Sequence, residues 1–220
     1  MRVFLSRNVP SKALVDHARK SDWDLICFSC IEFSLISESG PPLSDWIFFY
    51  SPSAVKLFAK NFKTRSFRFA ALGEGTADAM RESGIQPEFI GKSSDTSEVM
   101  VEFEAVLKSD ERVVQARGEK SFERLREQLP SSQILDWPFY RTQAKPELPE
   151  AIADYYIFTS PSNAEAYLKR YDLPLQTVVV VFGESTRAMV REKSDARTLV
   201  TEITGEESSI QKIKEDQIQL

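Results

Sequence analysis

One histidine, His17, and two cysteines, Cys27 and Cys30, are all that the 220-residue chain holds of the side chains that most often bind transition metals or drive nucleophilic catalysis. A serine triad needs a histidine beside its nucleophile, and a structural zinc site needs four spaced ligands. His17 stands in the charged helical stretch Asp16-His17-Ala18-Arg19-Lys20, which reads as a surface position. The cysteines form a CxxC inside Leu25-Ile26-Cys27-Phe28-Ser29-Cys30-Ile31, a run that reads as a buried strand. Redox or zinc use of a CxxC wants a turn, a helix N-terminus or a second ligand pair, so two reduced structural thiols are expected. An excess of basic residues is missing as well: 28 Lys and Arg against 33 Asp and Glu leave a net charge of −5. That balance argues against nucleic-acid or anionic-membrane surfaces, which need a dominant positive field, while a small anion needs only a local cluster. No apolar run approaches the 18 residues of a membrane span, and Met1-Arg2-Val3-Phe4-Leu5-Ser6 leads straight into strand-like sequence. A cytoplasmic chain is therefore expected, with no membrane partner and no nucleic acid.

Phosphate-binding fingerprints are absent too. Gly73 and Gly75 begin a dinucleotide pattern, but Asp78 stands where its third glycine belongs, and no GxxxxGK[ST] occurs. Gly183-Glu184-Ser185-Thr186-Arg187 lacks the second glycine of a nucleophile elbow.

What the chain does hold is a regular alternation. Short β-rich runs at 2–5, 25–31, 46–50, 66–71, 113–116, 134–137, 155–159, 178–182 and 198–201 are separated by stretches with apolar residues at helical spacing, at 54–60, 76–82, 97–108, 121–128, 163–170 and 186–193. This is the βαβ pattern of α/β proteins with parallel sheets. The alternation also repeats. Asp45-Trp46-Ile47-Phe48-Phe49-Tyr50-Ser51-Pro52-Ser53 aligns with Asp154-Tyr155-Tyr156-Ile157-Phe158-Thr159-Ser160-Pro161-Ser162 at one offset, and Gly73-Glu74-Gly75-Thr76 aligns with Gly183-Glu184-Ser185-Thr186 one residue farther. Two copies of a strand, SPS turn, helix, strand, GExT turn, helix unit follow. Turn-rich Ser37-Glu38-Ser39-Gly40-Pro41-Pro42 precedes the first copy and Lys145-Pro146-Glu147-Leu148-Pro149 the second, so both read as interdomain crossings. The opening strands need a sheet to join, and the second copy supplies it. The expectation is one discontinuous domain of residues 1–36 and 143–220 with residues 37–142 inserted as the other.

Ser51 and Ser160 fit helix N-caps, with Pro52 and Pro161 at the first helical position, where a missing N–H costs nothing. Such turns at the carboxyl ends of parallel strands also aim backbone N–H groups and hydroxyls into the crevice where α/β sheets bind ligands. The GExT turns do the same. Four helix N-termini in two copies suit an anion with several carboxylates.

In order and context these motifs resemble the uroporphyrinogen-III synthases, over essentially the whole chain. The resemblance rests on Leu5-Ser6-Arg7, Phe48-Phe49-Tyr50-Ser51-Pro52-Ser53, Ala71-Leu72-Gly73-Glu74-Gly75-Thr76, Val114-Gln115-Ala116-Arg117-Gly118, Phe139-Tyr140-Arg141-Thr142, Ile157-Phe158-Thr159-Ser160-Pro161-Ser162-Asn163 and Phe182-Gly183-Glu184-Ser185-Thr186. It implies two similar parallel-sheet α/β domains joined by a two-segment hinge with a cleft between them, no cofactor, and hydroxymethylbilane as substrate; a monomer is expected because the sequence shows no long amphipathic seam. The implied chemistry is loss of hydroxide from the hydroxymethyl group at one end of the bilane, attack there by the terminal pyrrole ring of the other end to a spiro-pyrrolenine, then fragmentation and closure with that attacking ring inverted. Tyr140 is the expected proton donor to the departing hydroxyl, since a phenol with the ordinary pKa near ~10 stays protonated at neutral pH; packing of the hinge is its structural alternative. Ser51, Thr76, Ser160, Asn163, Ser185 and Thr186 are expected to hold substrate carboxylates, with Arg7, Arg117 and Arg141 as charge partners. Ser185 stands where many relatives have threonine, which keeps the hydroxyl. A non-catalytic two-lobed binding or sensor protein is the competing class.

Overall fold

The structure, a computed structural model, describes residues 1–63, 67–93, 95–120, 128–201, 203 and 205–219. Two compact units divide the chain, one of Met1–Glu32 with Gln143–Leu220 and one of Phe33–Thr142. The expected helix at 121–128 falls almost wholly outside the described residues.

Unit 1 is built on a sheet of five strands, β1 (Arg2–Leu5), β2 (Asp24–Cys27), β9 (Tyr155–Phe158), β10 (Val178–Val181) and β11 (Arg197–Val200), in the order β11-β10-β9-β1-β2. Every pairing is parallel. Its central strands are apolar at successive positions, not alternate ones, because both faces are covered. Phe4, Tyr156, Phe158, Val179 and Val181 face α5 (Pro161–Leu168) and α6 (Glu184–Lys193), while Val3, Leu5, Tyr155, Ile157 and Val180 pack with Leu14 of α1 (Lys12–Lys20) and Ile210 and Ile213 of α7 (Glu206–Gln219). At the amino end of the sheet, Tyr155 Oη donates to Asp216 Oδ2 at 2.8 Å and Arg197 pairs with Oδ1 at 2.5 Å, fastening α7 to the strands.

Unit 2 holds six strands, β3 (Ile31–Leu35), β4 (Trp46–Phe49), β5 (Arg68–Ala71), β6 (Phe89–Ile90), β7 (Val113–Gly118) and β8 (Ile134–Ala144), in the order β3-β8-β7-β4-β5-β6. Ile47, Phe49, Phe69 and Ala71 pack under α2 (Pro52–Asn61) and α3 (Glu74–Glu82), whereas Trp46, Phe48 and Ala70 pack under α4 (Thr96–Glu104). Strands β4 to β8 are parallel. Against β8, β3 runs the other way, since Ile36 N donates to Phe139 O and Lys145 N to Cys30 O.

The repeat is present in three dimensions: β4-α2-β5-α3 in unit 2 matches β9-α5-β10-α6 in unit 1, with equivalent neighbours in each sheet. Ser51 and Ser160 cap α2 and α5, accepting from Ala54 N and Asn163 N, with a proline in the first turn of each helix. Gly73 and Gly183 lead into α3 and α6 without a side-chain cap. Gly183 has φ +112°, a conformation that other residues rarely adopt.

Three local readings change. The run 25–31 is not one strand but the end of β2 and the start of β3, in different sheets, because the amides of Ser29 and Cys30 bond to Asn8 Oδ1 and Asn163 Oδ1 instead of to a neighbouring strand. The strand at 134–137 continues to Ala144, with a register slip opposite Arg117 and Gly118 at Pro138 and Phe139. Proline has no N–H for the ladder, and a bulge absorbs the defect. The third is α7, a helix that the sequence does not signal because it carries no strong apolar stripe; its anchorage is the buried Asp216.

Among the described residues, no helix is long and apolar enough to cross a membrane. Gly91 shows how closely α4 packs: a Cβ there would collide with the backbone oxygen of Leu72 and both methyls of Val99. Gly91→Ala is expected to destabilise unit 2 by about 1–3 kcal/mol, read as a lower urea midpoint. An unchanged midpoint would mean that the α4 packing yields.

Candidate functional site

In each sheet the strand order reverses at one place. From β9 the chain moves outward to β10 and β11, whereas from β1 it moves the opposite way to β2, so the switch point of unit 1 lies between β1 and β9. In unit 2 it lies between β4 and β7. Open parallel sheets bind ligands outside the carboxyl ends of the strands at such points.

At the switch point of unit 1, Ser6 and Thr159 join the two strand ends: Thr159 N donates to Ser6 Oγ at 2.9 Å and the hydroxyls lie 3.3 Å apart. Beside them are Arg7, Ser160 and Asn163, and the same edge carries Ser185 and Thr186 in the first turn of α6. In unit 2 the corresponding edge carries Tyr50 and Ser51 at the end of β4, Thr76 in the first turn of α3, and Arg117 at the end of β7, with Tyr140 and Arg141 on β8. Tyr50 Oη donates to Gln115 Oε1 at 2.9 Å, bridging β4 and β7 as Thr159 and Ser6 bridge β9 and β1. Neither pair stood out in the sequence, because the pattern of one strand does not reveal which distant strand lies beside it. Each unit thus gathers its own share of the expected residues at one edge.

The threonines and the arginines differ in what they already bond. Thr76 and Thr186 are buried at 5% and 1% exposure, yet neither hydroxyl makes a hydrogen bond among the described residues. They sit where helices without side-chain caps present N–H groups and a partial positive charge, an arrangement suited to a carboxylate. All three expected arginines already have carboxylate partners. Arg7 Nη1 bonds to Glu206 at 2.8 Å, Arg141 Nη2 to Glu119 at 3.3 Å, and Arg117 grips Asp136 with two bonds of 2.6 and 2.7 Å. Arg117 is buried and also donates to the carbonyls of Gly118 and Glu119, so its guanidinium shapes the bulge between β7 and β8. Arg7 and Arg117 occupy equivalent places: Leu5 pairs with Ile157 and Gln115 with Phe48, and Ile157 and Phe48 match in the repeat.

Asn163 works inside unit 1. Its Oδ1 accepts from Cys30 N at 2.8 Å and its Nδ2 donates to Ser160 Oγ at 3.1 Å, so it ties the SPS turn to the segment after β2. Tyr140 is buried in unit 2, edge-on to Phe33 and Phe139 at centroid distances of 5.7 and 5.0 Å, and its carbonyl accepts from Glu119 N at 2.7 Å. Cys27 and Cys30 pack in different apolar clusters of unit 1, one on each face of its sheet. Burial pushes the Cys30 thiol up to about 12, and burial followed by the Glu206 charge raises Cys27. Both suit inert structural thiols. His17 lies half-buried on α1, edge-on to Trp23 at 4.6 Å, and among the described residues no group of three or more His, Cys, Asp or Glu side chains forms a candidate metal site.

A family model described as uroporphyrinogen-III synthase HemD matches residues 12–211. No curated protein matches the chain. Among solved structures it is similar to uroporphyrinogen-III synthetase from Helicobacter pylori, at 16% identity and a TM-score of 0.72, with 98% of this chain and 99% of that one covered. It is also similar to a mutant uroporphyrinogen III synthase from the extremely thermophilic bacterium Thermus thermophilus, at 16% identity and a TM-score of 0.57, with 100% and 99% covered. At that identity the structural likeness is one of fold.

The bonds of Asn163 give a direct test. Asn163→Ala leaves the Cys30 N–H buried without its acceptor and is expected to lower the unfolding free energy by about 1–3 kcal/mol in urea. Wild-type stability would show that the side chain is not needed to hold the turn.

Proposed function

The chain belongs to the uroporphyrinogen-III synthase family, and on that ground we propose how its two sheet edges serve the reaction. The reaction itself is that of the family: a lyase closes hydroxymethylbilane with inversion of the terminal pyrrole ring and loss of water, in tetrapyrrole biosynthesis. Family membership decides for catalysis over a non-catalytic binding module.

The observation that carries the proposal is the pair of helix N-termini without side-chain caps, each with a largely buried threonine whose hydroxyl bonds nothing else among the described residues. Both edges take part in holding substrate carboxylates, through Thr76 with Ser51 in one unit and Thr186 with Ser185 and Ser160 in the other. Arg7 and Arg141, exposed and each bonded to one carboxylate, contribute positive charge at the rim. Arg117 contributes indirectly by fixing the strand that carries Tyr140. The crossings between residues 1–36, 37–142 and 143–220 act as a hinge that lets the grip tighten on substrate. The chain works in the cytoplasm without a cofactor and as a monomer, the last supported by sequence with no long amphipathic seam for a partner.

In this reading the pyrrole nitrogen expels hydroxide, and Tyr140 supplies the proton that turns it into water. Attack of the terminal ring then forms a spiro intermediate, which fragments and closes with that ring inverted. Holding one folded conformer is the larger task. Orientation is worth roughly 7–11 kcal/mol, whereas one general acid supplies about 10²–10⁴-fold in rate.

Rate and product should therefore separate. Tyr140→Phe is expected to slow turnover by about 10²-fold while the product stays isomer III. Full rate in that variant would leave Tyr140 a packing residue of unit 2. Thr76→Val combined with Thr186→Val removes both hydroxyls and keeps their shape, and isomer I formed by spontaneous closure should then take a larger share. An unchanged isomer ratio in the folded double variant would count against the two-edge grip, and isomer I alone from the wild-type chain would overturn the assignment.

A further inference from the structure

Arg7 is the exposed cation at the switch point of unit 1, and the residue that holds it is remote in sequence. Its side chain is 51% exposed, whereas that of its partner Glu206 is 2% exposed. Glu206 opens α7, where the helix N-terminus favours a negative charge. Its two oxygens have separate tasks: Oε1 accepts from Arg7 Nη1 at 2.8 Å and Oε2 from Ser11 N, at the N-cap of α1, at 2.6 Å. One carboxylate thus joins the end of β1, the start of α1 and the start of α7. Asn8 holds the same loop from the other side, accepting from Ser29 N at 2.8 Å.

An exposed ion pair usually exchanges partners freely, because both side chains are mobile. Here one partner is fixed by burial and by a second bond, so the guanidinium is anchored at one nitrogen. Its Nε and Nη2 make no bond among the described residues. A planar cation held in this way presents its remaining donors in a set direction, and less ordering is left for the moment of binding.

We propose that Glu206 is a positioning residue for substrate binding, holding Arg7 so that Nε and Nη2 meet a carboxylate of hydroxymethylbilane. This rests on the reading above that Arg7 contacts substrate. Glu206 itself does not touch the substrate and acts only through Arg7.

The test is steady-state kinetics on hydroxymethylbilane for the wild type, R7A, E206Q and the double variant, with a urea midpoint for each. E206Q is expected to raise KM by about 3–10-fold with kcat within about 2-fold, and to add nothing once Arg7 is alanine, since residues acting as one unit are non-additive. Glutamine keeps an oxygen for Ser11 N, so the fold should survive. Should it not, E206D takes its place in both backgrounds with the same outcomes. A KM that rises equally with and without Arg7, or one that stays at the wild-type value in E206Q while R7A is impaired, overturns the positioning role alone. R7A at wild-type KM overturns the substrate contact and the positioning role with it.

Discussion

Unit 1 exists because β1 pairs with β9. Val3, Phe4 and Leu5 lie in register with Tyr155, Tyr156 and Ile157, and this ladder joins the opening strand to a stretch of chain that arrives 152 residues later. Side chains fasten both ends of it: Asp154 Oδ2 accepts from Arg2 N at one end, and Ser6 bonds with Thr159 at the other. Closure entropy rises only with the logarithm of loop length, about 0.6 kcal/mol per doubling, so a separation of this size is tolerated once strong apolar burial follows. The burial is there, since Phe4, Leu5, Tyr156 and Ile157 are fully inaccessible to solvent. The same ladder creates the unit 1 switch point, and so it also decides where Arg7 and Ser160 stand relative to one another.

The repeat was legible because its turns are chemically demanding. A serine cap followed by proline at the first helical position leaves few alternatives for the local backbone, and it recurs before both helices. Apolar runs of strand length between those turns then implied parallel sheets. Less legible was everything that depends on a distant partner. Residues 25–31 have the composition of one strand and are divided by the side chains of Asn8 and Asn163, the second lying 133 residues from Cys30. Likewise β6, only two residues long, is too short to carry a periodic signal.

The arginines show the same limit at the site. A guanidinium near a predicted ligand edge looks available in sequence, but Arg7 meets a carboxylate 199 positions away, Arg117 one 19 away and Arg141 one 22 away. Arg7 and Arg117 stand on equivalent neighbours of the two copies, after β1 and at the end of β7, and differ in setting: one reaches solvent from a buried anchor, while the other is enclosed and braces a bulge. The two edges thus divide the roles of cation and brace, while the glycine-led helix entry and its threonine are kept in both copies of the repeat.

Insertion of unit 2 within unit 1 has a consequence for synthesis. As the chain leaves the ribosome, β1, α1 and β2 emerge before the rest of unit 1, and the sheet they belong to has no β9 until roughly 130 further residues have been made. At about 5–20 residues per second that interval is on the order of 6–26 s. Unit 2 is contiguous and has all its strands before then, so it is able to close while the first three elements wait with apolar surfaces uncovered. During that window Phe4 and Leu5 are available to any other strand or chaperone they meet.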